Sequence, residues 1–275
     1  MRALLVLVLV VLSVACALLA GLGAVLTRNV IEPEGFARVV VATAQSPEGN
    51  ALLRGGVARE VERLAADQPA VLAAGAGLIA GDWAVAAVNS KAAARVLGPT
   101  AIGLQQGILT GTQDGTLRLD VRAFAGAADP PPLVTALLAA IPGEIAVVIP
   151  WVQVSPGFER ALRLLDRRPW LPAGLAVAAA ALGLVALLAA RRRGLTLLAL
   201  GLILAASAFL LRPLARESTT WLAAADSRDE AVAALAPVVV DAVLDGWTAV
   251  SGALTAIGLA LALVGLVLGV RRRRD

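Results

Sequence analysis

Residues 171–211 read LPAGLAVAAAALGLVALLAA-RRRG-LTLLALGLILAASAFLL, and this stretch decides the fold. Two uncharged runs, Leu171 to Ala190 and Leu195 to Leu211, stand on either side of the turn Arg191-Arg192-Arg193-Gly194. A helix crosses the hydrocarbon core of a bilayer with about 20 apolar residues, so each run is a membrane span and the turn joins them on one side. Working outward, Leu4 to Leu26 and Thr248 to Val270 are equally free of charge, and Arg271 to Arg274 follow the last of them. The expected class is a mainly α membrane protein with four transmembrane helices and a mostly helical extracytoplasmic domain that carries a small β-hairpin or βαβ element.

Basic clusters beside the spans give an orientation. Under the positive-inside rule Arg2, Arg191, Arg192, Arg193, Arg271, Arg272, Arg273 and Arg274 determine topology and lie in the cytoplasm. Of the 24 basic and 20 acidic residues, that side then holds eight bases and only Asp275 among the acids. The expected partition is a signal-anchor helix over 1–26, an extracytoplasmic domain over 27–170 and a second helix over 171–190. A cytoplasmic turn over 191–194 and a third helix over 195–211 follow. A short outer segment over 212–247, a fourth helix over 248–270 and a cytoplasmic tail over 271–275 complete it. This places the protein in the bacterial cytoplasmic membrane with both termini inside and no folded cytoplasmic domain. Kinase, nucleotide-hydrolysing and cytosolic signalling roles are thereby excluded, and so is nucleic-acid binding, because no basic face exists away from the membrane ends.

The single cysteine, Cys16, permits no internal disulfide. Ser13-Val14-Ala15-Cys16 faintly resembles a lipoprotein cleavage site, yet the apolar run continues ten residues past Cys16, too long for a cleavable signal core. Arginine outnumbers lysine 23 to 1, a composition that points to a GC-rich, actinobacterial genome.

Between the first two spans the pattern is helical, then alternating. Phe36, Val39, Val40 and Thr43 recur at helical spacing. Ser46-Pro47-Glu48 reads as an N-cap, a proline at the first helical position and an acid on the positive end of the dipole. Further helices are expected from Asp67-Gln68-Pro69 and from Gly81-Asp82-Trp83, the latter running toward Leu97 and broken by Gly98-Pro99-Thr100. Thr116 to Phe124 alternates apolar and polar residues as a half-buried strand, and Glu144 to Ile149 reads as a second. Helices from Ser155 and from Asp229 to Val243 complete the outer segments.

Several of these segments resemble a family of uncharacterised actinobacterial four-helix integral membrane proteins with a large extracytoplasmic domain after the first transmembrane helix. The resemblance rests on Phe36 to Thr43 before Ser46-Pro47, on Asp82 to Asn89, on the strand Thr116 to Val121, on Arg160 to Asp166 leading to Trp170-Leu171-Pro172, and on the turn Arg191 to Arg193. It covers nearly the whole chain. One departure is that Lys91 and Ala92 stand where the family often has His. The resemblance implies the topology and no activity.

Chemistry-bearing patterns are few. Histidine is absent, so no Ser-His-Asp triad can form, and a zinc site would lack its usual ligands. Asp114, Asp120 and Asp129 offer carboxylates for glycosidase chemistry, but they read as a turn residue, a strand's outer face and a helix cap. No catalytic, metal or cofactor residue is assigned. The spans contain no charge, which argues against an ion-coupled transporter. Ser251, Thr255, Gly258, Ala262, Gly265 and Gly269 form a small-residue face for helix packing, either within the chain or against another copy or protein. Trp170 and Trp247 are interfacial anchors. The function expected is a non-catalytic interaction or scaffolding module of the cell envelope. Its partners are the lipid bilayer and another envelope protein or a second copy. The alternative is a lipid or hydrophobic-ligand accessory protein, resting on the charge-poor helices of residues 69–110.

Overall fold

The computed structural model describes residues 2–65, 69–110, 116–126, 128–140, 146–150, 156–226 and 230–271. Four helices are long and apolar enough to cross a membrane: Arg2–Ile31, Leu171–Ala189, Arg193–Leu211 and Trp247–Val270. The protein is a multi-pass membrane protein, and its chain divides into two compact units.

The first unit comprises Met1–Thr27, Leu164–Ser218 and Leu244–Asp275. It contains α1 (Arg2–Leu26), α8 (Leu171–Ala189), most of α9 (Arg193–Asp226) and α11 (Trp247–Arg271). Inside a bilayer, lipid tails are as apolar as leucine, so these helices associate through close packing and internal hydrogen bonds rather than through hydrophobic burial. The α1–α8 pair shows both. Ser13 Oγ donates to Ala179 O at 2.7 Å, and a Cβ on Gly183 would lie only 3.3 Å from that same Oγ. Val10, Ala186 and Leu200 form a buried cluster in this unit, with Val6, Leu9, Ile203 and Leu261 packed against it.

The second unit comprises Arg28–Arg163 and Thr219–Val243. Its helices are α2 (Pro33–Ala44), α3 (Pro47–Leu64), α4 (Ala70–Val88), α5 (Ala93–Thr110), α6 (Pro132–Ala140), most of α7 (Pro156–Arg167) and α10 (Glu230–Val243). Two five-residue strands, β1 (Thr116–Asp120) and β2 (Ala146–Pro150), pair antiparallel with Thr116 opposite Pro150 and Asp120 opposite Ala146. A 3-10 turn, Val121–Gly126, follows β1 where the alternating pattern had extended the strand to Phe124. The caps form as the residues dictate: Ser46 Oγ accepts from Gly49 N at 2.9 Å, with Pro47 opening α3.

Further boundaries differ from the sequence reading. Gly81-Asp82 does not begin a helix, because α4 runs unbroken from Ala70 to Val88 and turns only at Asn89–Ala92. Glycine is used there for approach: a Cβ on Gly77 would meet Ala58 O at 2.9 Å and one on Gly81 would meet Arg54 O at 2.8 Å. Nor does Gly98-Pro99-Thr100 break α5, which carries Pro99 in its interior. A proline there costs about 3 kcal/mol in an isolated helix. Here Leu97, Ala101 and Leu104 are buried on the opposite side while Pro99 is exposed, so tertiary burial overrides the local penalty. The helix after the third span also exceeds expectation, continuing past Leu211 to Asp226.

The core of this unit is built on Trp83. Its ring meets Phe124 edge to face, centroids 6.3 Å apart, and its Nε1 donates to Ala128 O at 3.0 Å. Val40, Leu53, Val57, Val88 and Leu97 are further fully buried side chains of the same unit.

Candidate functional site

The small-residue face of α11 lies against α9. A Cβ on Gly258 would stand 2.6 Å from Gly201 O and 2.9 Å from Ala205 N, and one on Gly265 would stand 2.5 Å from Leu198 N and 2.6 Å from Gly194 O. The approach is mutual, since a Cβ on Gly201 would run into the Gly258 carbonyl and one on Gly194 would lie 2.7 Å from Gly265 O. At Gly194, Gly201, Gly258 and Gly265, backbones this close exclude any side chain larger than hydrogen. Ala262 is buried in the same seam. Gly269 contributes backbone, with its Cα 3.2 Å from where a Gly194 Cβ would be, and its own Cβ position faces open space. Ser251 Oγ and Thr255 Oγ1 donate to carbonyls of their own helix, Thr248 O at 3.2 Å and Ser251 O at 2.7 Å. The seam therefore joins two helices of one chain at Gly258, Ala262 and Gly265.

The two tryptophans expected at membrane interfaces are placed very differently. Trp170 is 61% exposed, whereas Trp247 is 1% exposed. The Trp247 ring stands beside Gly21 of α1, where a Cβ would be 3.4 Å from its Cζ3, and its Nε1 has no hydrogen-bond partner among the described residues. An interfacial anchor presents its ring to headgroups. Trp247 instead serves as a packing residue at the start of α11, a role that hydropathy alone does not separate from anchoring.

Arg2, Arg191, Arg192 and Arg193 are exposed. Arg271 ends α11, and Arg272, Arg273 and Arg274 lie outside the described residues. Of the three aspartates considered for chemistry, Asp114 lies outside the described residues, and Asp129 is exposed. Asp120 Oδ1 accepts from Arg122 N at 2.9 Å, a local turn contact. Among the described residues no cluster of three metal-ligating side chains occurs.

Charged contacts in the second unit are surface pairs. Arg54 Nε lies 2.7 Å from Asp82 Oδ1, and Arg63 grips Glu60 through Nε at 3.0 Å and Nη2 at 2.5 Å. The hydrogen bonds from Arg63 hold the Glu60 carboxyl below the usual carboxylate range, and Glu60 raises Arg63 in turn.

Sequence reasoning missed a polar clasp within this unit. After α1 the chain makes a π-helical turn, Thr27–Ile31, which disturbs the regular ladder and leaves carbonyls to be satisfied elsewhere. Gln105 of α5, 4% exposed, donates from Nε2 to both Val30 O and Ile31 O at 2.6 Å. Asn29 Nδ2 donates to Val243 O at 2.9 Å. A glutamine among apolar positions of α5 was the available signal. On the exposed side of α4, Leu78 is 60% and Ile79 is 42% exposed, side by side on a helix whose one charged residue is Asp82. No family model matches the chain, and no curated protein or solved structure matches it.

Proposed function

We propose that the protein is an envelope scaffold: the four-helix unit anchors the second unit outside the bacterial cytoplasmic membrane, where it binds another envelope protein without catalysis. The observation that carries the reading is the pair Leu78 and Ile79. The second unit has a core of its own, yet two large aliphatic side chains stand together in the open on α4. Adjacent exposed aliphatics on a well-packed helix mark contact surfaces more often than isolated ones do. The orientation rests on the arginine asymmetry, and the small strand pair belongs to the outer domain in this reading.

The lipid-accessory alternative drew on residues 69–110. Ala80, Trp83, Ala84, Ala87, Leu97 and Leu104 in that region are buried in the unit's own core, which favours the scaffold.

A photocrosslinking residue introduced at Leu78 in intact cells tests the reading. A discrete protein adduct at 78, absent when the same residue replaces the exposed Arg38 of α2, is the expected result. Equal labelling at both positions, or lipid adducts alone at 78, would sink the scaffold. Orientation is checked separately with Ala86→Cys, an exposed position that an impermeant maleimide should label from outside the cell.

A further inference from the structure

Both ends of α8 carry arginines. Arg191, Arg192 and Arg193 follow its last turn, and Arg167 and Arg168 stand just before its first residue, Leu171. Charge bias across a membrane accounts for the basic residues at one end of a span, not at both. Whichever end it explains, the other pair needs a second cause, and the orientation above leaves Arg167 and Arg168 unexplained.

Both are exposed, and neither guanidinium has a hydrogen-bond or ion-pair partner among the described residues. The nearest acid in sequence, Asp166, is also exposed and pairs with neither. Leu171 N donates to Arg168 O at 2.9 Å, so the connection is a folded turn. The two arginines then lie within about two helical turns, roughly 10 Å, of the span's first residue. That is the headgroup layer.

Trp170 supplies the second observation. A Cβ on Gly174 would lie 3.2 Å from the Trp170 Cε3 and 3.3 Å from its Cζ3, so the ring is laid along the first turn of the span. It remains largely exposed. An exposed indole on the span's first turn, two residues after a pair of unpaired arginines, fits an amphipathic anion, with phosphate on the guanidinium groups and acyl chain against the ring. Arginine's planar fork is suited to phosphate oxygens.

We propose that Arg167, Arg168 and Trp170 form a binding site for the headgroup of an anionic phospholipid in the leaflet that α8 enters at Leu171. The site does not depend on the scaffold reading. It is tested on the full chain reconstituted in phosphatidylcholine vesicles doped with photoactivatable phosphatidylglycerol, with labelled peptides located by mass spectrometry. Label should concentrate on the peptide holding residues 167–174. Each arginine near an anionic surface is worth about fivefold in affinity, so R167Q/R168Q should lower that labelling by about thirtyfold when lipid is limiting. R192Q/R193Q, at the other end of the same helix, should leave it unchanged. Unchanged labelling in R167Q/R168Q would overturn the site, as would equal labelling of the peptide by photoactivatable phosphatidylcholine. Both arginines are exposed and unpaired, so the variant should fold, and an unaltered circular dichroism spectrum verifies it.

Discussion

Replacing Gly258 by alanine should loosen the membrane unit, and the same replacement at Gly252 should not. Both glycines lie in α11. A Cβ at 258 would stand 2.6 Å from Gly201 O, against an ordinary limit near 3.4 Å, so α9 and α11 must separate by up to 0.8 Å, the difference of the two. A gap of about 0.5–1 Å forfeits a quarter to a half of each atomic contact, and a contact is worth about 0.1–0.2 kcal/mol. Over roughly 40 atom pairs at the crossing, the loss is about 1–4 kcal/mol. At Gly252 a Cβ meets nothing within 4 Å. The intrinsic gain of alanine over glycine in a helix, about 1 kcal/mol in water, applies to both positions and cancels in their difference. Unfolding of the purified chain in mild detergent, titrated with SDS, measures that difference. G258A should unfold at lower SDS than G252A, and G201A should match G258A because it presses on the same crossing. Identical midpoints for G258A and G252A would refute the reasoning, since the close approach of the two backbones would then carry no energy.

Three further outcomes follow from the other contacts. Gln105→Leu removes both donors to Val30 O and Ile31 O and leaves buried carbonyls unpaired, so it should cost about 1–3 kcal/mol in thermal unfolding, with Gln105→Glu no better. Trp247→Ala should cost about 3–5 kcal/mol, the range for emptying a buried indole site, whereas Trp170→Ala should leave the unfolding midpoint nearly unchanged. The Glu60 carboxyl is held low by Arg63, so its contribution is present above the ordinary value of about 4.3 and fades as pH falls through the lower folded-state value. The gap in stability between wild type and Glu60→Gln should therefore be small at neutral pH, as for any exposed helix pair, and should close on acidification. A gap that widens at low pH would contradict the assignment.

The four spans were legible because bilayer length and charge exclusion act on long stretches, and no local detail can disguise twenty uncharged residues. Caps were legible for the opposite reason: Ser46 and Pro47 act within one turn and need nothing distant. What escaped lies between those scales. Gly81 and Pro99 look like helix breakers in isolation, yet each is tolerated where a partner helix decides the matter. Gly81 admits the α3 backbone at Arg54, and Pro99 sits outside while Leu97 and Ala101 are buried. Trp170 and Trp247 stand at equivalent places beside spans, and only the tertiary position of Gly21 separates a packed indole from an exposed one. Gln105 is the sharpest case, because its partners, Val30 and Ile31, are about 75 residues away and are carbonyls, which no side-chain pattern records. A π turn at the end of a span is marked by no residue type of its own, but the carbonyls it frees must still be paired. A lone buried amide on a neighbouring helix is the sequence trace that such a turn leaves behind.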